Sequence, residues 1–109
     1  MVPRYGRRIS VACDVILVGD HVHGEARVLD LSLPGCLLEC QHPVRVGDYI
    51  ELRIFLPDRA YPIHIPLAAV RWVDGTLVGL EFIRSSEEDQ ARLNDFVQRH
   101  GADREAAAE

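Results

Sequence analysis

From Ile9 to Leu17 an apolar side chain falls at every second position (Ile9, Val11, Cys13, Val15, Leu17), with Ser10 and Asp14 on the opposite parity. A period of two puts these residues on one face of an extended chain, so the segment is a half-buried strand and the fold it begins is built from β-sheet. Ile50, Leu52, Ile54 and Leu56 repeat the pattern against Glu51 and Arg53. Glu25 to Asp30 reads as a strand between these two, and Cys36, Leu38 and Cys40 share one face of a shorter strand after the Pro34-Gly35 reversal.

Further along, the apolar set runs on odd positions (Tyr61, Ile63, Ile65, Leu67) and then on even ones (Val70, Trp72). The slip near Ala68-Ala69 calls for a β-bulge, since a change of parity otherwise turns the apolar face outward. Asp74-Gly75 is a two-residue hairpin signal, and the returning strand carries Val78, Leu80 and Phe82 on one side. Ser85-Ser-Glu-Glu88 resembles a capping box before Leu93, Phe96 and Val97 at helical spacing, with Gly101 as the stop. Six short strands and one helix predict an all-β fold, a six-stranded antiparallel β-barrel with one C-terminal α-helix, closed so that few strand edges are exposed.

With 109 residues, 48% of them hydrophobic, the chain has material for one core. The expectation is a single domain over residues 1–100, with an arginine-rich N-terminal arm and a frayed tail over 101–109. No run approaches the roughly 18 apolar residues of a membrane span, and the start lacks a signal peptide's apolar stretch, so a soluble cytoplasmic module without membrane insertion is expected. Cys13, Cys36 and Cys40 are an odd set and read as buried reduced thiols.

Net charge is −5, which argues against a general nucleic-acid binder, because that class needs broad basic surface to displace counterions. The cations are nevertheless clustered: Arg4, Arg7 and Arg8 stand directly before the first strand. An arginine fork can grip phosphate oxygens, donate to the O6/N7 edge of guanine, or stack on a base. Asp30-Leu-Ser32-Leu-Pro-Gly35, at the junction of the second and third strands, supplies the complement. Asp30 can accept from guanine's other edge, Ser32 can donate or accept, and Gly35 permits close backbone approach or a positive φ.

Arg4-Tyr-Gly-Arg-Arg8 and Asp30-Leu-Ser-Leu-Pro-Gly35 match the paired Arg-x-x-x-Arg and Asp/Asn-x-Ser-x-x-Gly signatures of the PilZ family, and the chain resembles that family to about residue 100, including Val-Gly-Leu-Glu-Phe at 78–82. The resemblance implies a bacterial receptor for the second messenger cyclic di-GMP. In it Arg4 and Arg8 hold phosphates and guanine, Arg7 adds a third cation, and Asp30, Ser32 and Gly35 shape the base-binding surface. It also implies that the arm orders over the ligand and changes the surface offered to a downstream protein, whose identity stays open. A nucleotide-independent protein-interaction adaptor of the same fold is the alternative.

Competing chemistries find less support. A zinc site would draw on His21, His23, Cys36, Cys40 and His42, but there is no Cys-x-x-Cys and alternation sends both cysteines to the apolar face, so no metal is expected. Ser32 lacks a nucleophile-elbow context and no phosphate loop ending in Lys-Ser/Thr occurs, so neither catalysis nor a cofactor is expected. Asp30 and Ser32 have a purely structural reading as turn caps, and Trp72 reads as packing.

Overall fold

A computed structural model of the chain describes residues 8–57 and 60–108, with side chains described as far as His100. It contains β1 (Ile9–Gly19), β2 (His23–Leu31), β3 (Gly35–Glu39), β4 (Tyr49–Phe55), β5 (Ile63–Asp74), β6 (Leu77–Arg84) and α1 (Glu87–Ala108). The strands pair antiparallel and close into a barrel in the order β1-β2-β3-β6-β5-β4. The expected barrel and its single helix are therefore what the chain forms. Alternation explains the core: Val15, Leu17, Leu52 and Ile54 are completely buried from the inward parity, whereas Asp14 and Arg53 face out.

Bulges reconcile the alternation with closure. Register shifts occur between Ile50 and Leu52 on the β4–β5 ladder and between Leu67 and Ala68 on the β5–β6 ladder, where the change of parity predicts one. Ala68, Ala69 and Val70 are consequently buried in succession. A second shift on β5, between Val70 and Trp72, is absent from the sequence reading. It carries Trp72 to the surface, 45% exposed, which corrects its expected role in packing.

The hairpin turn is one residue later than its dipeptide signal. Asp74 pairs with Leu77 as the last rung, leaving Gly75 and Thr76 as the turn, and Gly75 takes the left-handed φ of +63° that a tight hairpin needs.

Ser86, not Ser85, caps α1: its hydroxyl accepts from the Asp89 amide at 3.0 Å and its carbonyl from the Gln90 amide at 2.9 Å. The helix plugs the barrel with Leu93, Phe96 and Val97, each worth about 1.5–3 kcal/mol when fully buried. Its first turn is fastened to the start of β5. Asp89 accepts from the His64 amide at 3.2 Å and from Arg92 at 2.8 Å, and Arg92 donates to the carbonyls of Pro62 and Tyr61. Gly101 does not stop the helix, which continues to Ala108. One internal glycine costs only about 1 kcal/mol, and the alanine-rich segment after it favours helix.

Candidate functional site

Cross-strand pairing converts sequence-distant residues into two adjacent rows. Ile9, Leu31, Cys36, Leu80 and Val70 follow one another across β1, β2, β3, β6 and β5, and all are buried. The neighbouring row runs Ser10, Asp30, Leu37, Gly79 and Trp72, and faces outward. The first row is the floor under the second. Above the outer row lies a cavity of about 300 Å³, whose lining also includes Arg8, Ser32, Pro34, Gly35, Arg71 and Glu81.

The Asp30–Gly35 turn is built from its own polar groups. Ser10 Oγ donates to Asp30 Oδ1 at 3.1 Å, which holds that carboxylate across the β1–β2 pair. Ser32 donates twice to the Gly35 carbonyl, from its amide at 2.9 Å and from its hydroxyl at 3.1 Å. The Phe82 amide donates to the Pro34 carbonyl at 2.8 Å and ties the turn to β6. The structural reading of Ser32 as a turn cap thus holds, and its hydroxyl oxygen keeps its capacity to accept.

Gly35 is explained by proximity. Its φ is not in the left-handed region, but a Cβ there would lie 2.1 Å from the Leu80 carbonyl oxygen, so only glycine lets β3 approach β6 at this rung. Gly79 is the second such position: a Cβ would lie 2.1 Å from Trp72 Nε1, because the indole rests on the glycine backbone. An aromatic ring supported on one side and open on the other is a surface for stacking.

Of the six residues singled out by sequence, Arg8, Asp30, Ser32 and Gly35 line this single cavity. Arg4 and Arg7 lie outside the described residues. Sequence reasoning missed Arg71, Trp72, Gly79 and Glu81, which complete the wall. A glycine in mid-strand beside a hairpin was the available signal for close approach.

Cys36 forms part of the floor, and burial pushes its thiol far above the ordinary range, with the neighbouring Cys13 adding to the effect. Burial likewise pushes Cys13 up to about 11, reinforced by Asp14 and opposed by Arg27. Both thiols stay protonated at neutral pH, which makes them poor nucleophiles and poor metal ligands. Among the described residues no three His, Cys, Asp or Glu side chains are grouped to hold a metal ion, and no helix is long and apolar enough to cross a membrane. His42 packs over Gly24, where a Cβ would lie 2.2 Å from its Nε2.

Comparison with known proteins gives a consistent picture. The PilZ domain family model matches residues 3–99. The structure of the Bacillus subtilis inhibitor of motility (MotI/DgrA) superposes with a TM-score of 0.77 at 20% identity, over 94% of this chain and 53% of that one. This chain therefore spans about half the length of that relative. The crystal structure of the PilZ domain of CeSA from a cellulose-synthesizing bacterium gives a TM-score of 0.67 at 14% identity, over 83% of this chain and 93% of that one. At these identities the two structures establish a shared fold. No curated protein matches the chain in sequence.

Proposed function

Because the chain belongs to the PilZ domain family, we propose that it is a cytoplasmic receptor for cyclic di-GMP, with Arg4, Arg7, Arg8, Asp30, Ser32 and Gly35 as its ligand-binding residues. Domains of this family are receptor and adaptor modules rather than enzymes. The observation that carries the reading is the convergence of Arg8, Asp30, Ser32 and Gly35 on one cavity although the chain separates Arg8 from Asp30 by a complete hairpin. Each contributes a group the ligand needs: a guanidinium for phosphate or the guanine O6/N7 edge, a carboxylate for the opposite edge, and a backbone close enough to pack against.

Binding brings the N-terminal arm over the ligand, and the surface so formed is read by a downstream protein. Fixing each backbone residue of the arm costs about 1–2 kcal/mol, while each hydrogen bond to a charged group contributes about 1.5–3 kcal/mol. The two nearly offset, which suits a reversible sensor.

The test is titration calorimetry with cyclic di-GMP, GMP, cyclic GMP and cyclic di-AMP. Saturable binding of cyclic di-GMP, weakened about 10- to 100-fold in Arg8→Ala without loss of thermal stability, supports the receptor. A folded protein that binds none of the four refutes it. A nucleotide-independent adaptor would then stand, a second reading favoured by one fact: the Ser32 amide and hydroxyl donors are both already taken by the Gly35 carbonyl.

A further inference from the structure

The second register shift on β5 has a local consequence. Between Val70, fully buried, and Trp72 the strand gains an extra residue, and Arg71 and Trp72 both reach the outer surface and both line the cavity. Bulges beside binding sites commonly re-aim side chains in this way. Trp72 lies on Gly79 and stays 45% exposed, so a planar base has a platform there. Arg71, next to it, donates from Nε to Glu81 Oε1 at 2.6 Å. Nothing else among the described residues accepts from Arg71, so its two terminal nitrogens are left as an open fork on a guanidinium whose orientation Glu81 fixes.

We infer that Arg71 is a specificity-determining residue of the cavity, reading the O6/N7 edge of a guanine stacked on Trp72, with Glu81 as its positioning residue. The inference rests on the cyclic di-GMP reading of the same cavity. Its chemistry follows from the fork, which needs two neighbouring acceptors. Guanine offers O6 and N7, whereas adenine offers N7 beside an N6 amino donor that opposes one arm of the fork. A phosphate also offers paired acceptors, but Arg71 is the immediate neighbour of Trp72, the platform for the base, whereas Arg8 lies before β1. Arg71 lies on β5, so β2, β3 and β6 stand between the two arginines across the cavity. Arg71 therefore meets the part of the ligand that lies over Gly79 and Trp72, which is a base.

The experiment is calorimetry of the full chain with cyclic di-GMP and cyclic di-AMP, the weaker ligand being read by competition. Arg71→Ala is expected to lose about 10-fold or more in affinity for cyclic di-GMP while its affinity for cyclic di-AMP is unchanged, so that discrimination collapses. Glu81→Ala should show a smaller loss of the same kind, and Glu81→Gln, which keeps an acceptor for Nε, should restore most of it. Arg53→Ala, on the outer face of β4 away from the cavity, should leave both affinities unchanged. Arg71→Ala binding cyclic di-GMP like the parent, or weakening both dinucleotides equally as a phosphate contact would, overturns the inference while leaving the receptor in place. A parent protein that binds neither dinucleotide overturns the receptor reading and this inference with it.

Discussion

Replacing Gly35 by alanine tests why the Asp-x-Ser-x-x-Gly turn ends in glycine. The added Cβ would sit 2.1 Å from the Leu80 carbonyl oxygen, 3.2 Å from its carbon and 3.3 Å from Glu81 Cα, all of them backbone atoms that no side-chain rotation can remove. The carbonyl must retreat by about 1 Å to reach ordinary contact, enough to stretch a ladder hydrogen bond of about 2.9 Å out of range. The β3–β6 ladder begins at this rung, Gly35 opposite Glu81, and the Pro34–Phe82 bond lies beside it. Losing one or two such bonds in a buried setting, at about 1–1.5 kcal/mol each, with a further 1 kcal/mol or so for overpacking, gives about 3 kcal/mol. In a domain of about 100 residues that is a fall in Tm of roughly 12–24 °C. Gly75→Ala is the control: φ is +63° but nothing lies within 4 Å of a Cβ, so only the left-handed strain of about 1–2 kcal/mol applies. Thermal unfolding followed by circular dichroism compares the two. Equal losses, or a fall below about 4 °C for Gly35→Ala, would show that β6 yields without cost and that the glycine answers to something other than this close approach.

Gly79→Ala makes the opposite kind of clash, because the obstacle is an exposed indole that can swing aside. Stability should fall by less than about 1 kcal/mol, while tryptophan fluorescence shifts to the red and cyclic di-GMP affinity drops; an unshifted spectrum would mean that the ring does not rest on the glycine. The buried thiols make a pH-dependent contribution. Cys13 is raised from 9.0 to about 11 and Cys36 is raised further, so the folded state favours the neutral thiols. Their stabilisation is complete below about pH 9; that of Cys13 is lost as pH rises from 9 through 11, and that of Cys36 goes on being lost above this window. Urea midpoints should therefore decline over that window, and less steeply in a Cys13→Ala/Cys36→Ala variant; parallel declines would remove the thiols from the account. At pH 8 a thiol reagent should label Cys13 and Cys36 only after unfolding.

Much of the barrel was legible because its strands obey a strict period of two. The inward parity of β1 and β4 names residues that are buried without exception from Val15 to Leu17 and from Leu52 to Ile54. The errors lie where a neighbouring choice costs little. Ser85 and Ser86 are equally good caps by composition, and tertiary bonds decide between them, since a start at Ser86 sets Asp89 against the His64 amide and Arg92. Gly101 has the chemistry of a stop, yet the residues beyond it recover its propensity cost.

The binding surface divides along a different line. Arg8, Asp30, Ser32 and Gly35 were legible because their chemistry sits in two short motifs, whereas Glu81 joins them only through the β3–β6 ladder, which pairs it with Gly35, 46 positions away. Trp72 is the instructive case. Parity along β5 turns it inward, but pairing across the hairpin does not: counting back from the rung Asp74–Leu77 through Val73–Val78 sets Trp72 opposite Gly79. A large aromatic facing a glycine in mid-strand is a recognised way to cover exposed backbone, and it presents the ring at the surface. Where the two methods disagree, the turn is the better guide, because hairpin register is fixed locally by the loop whereas a parity count fails at the first bulge. The conflict itself locates the bulge between Val70 and Trp72. It also identifies the segment whose outward turn brings Arg71 and Trp72 to the cavity.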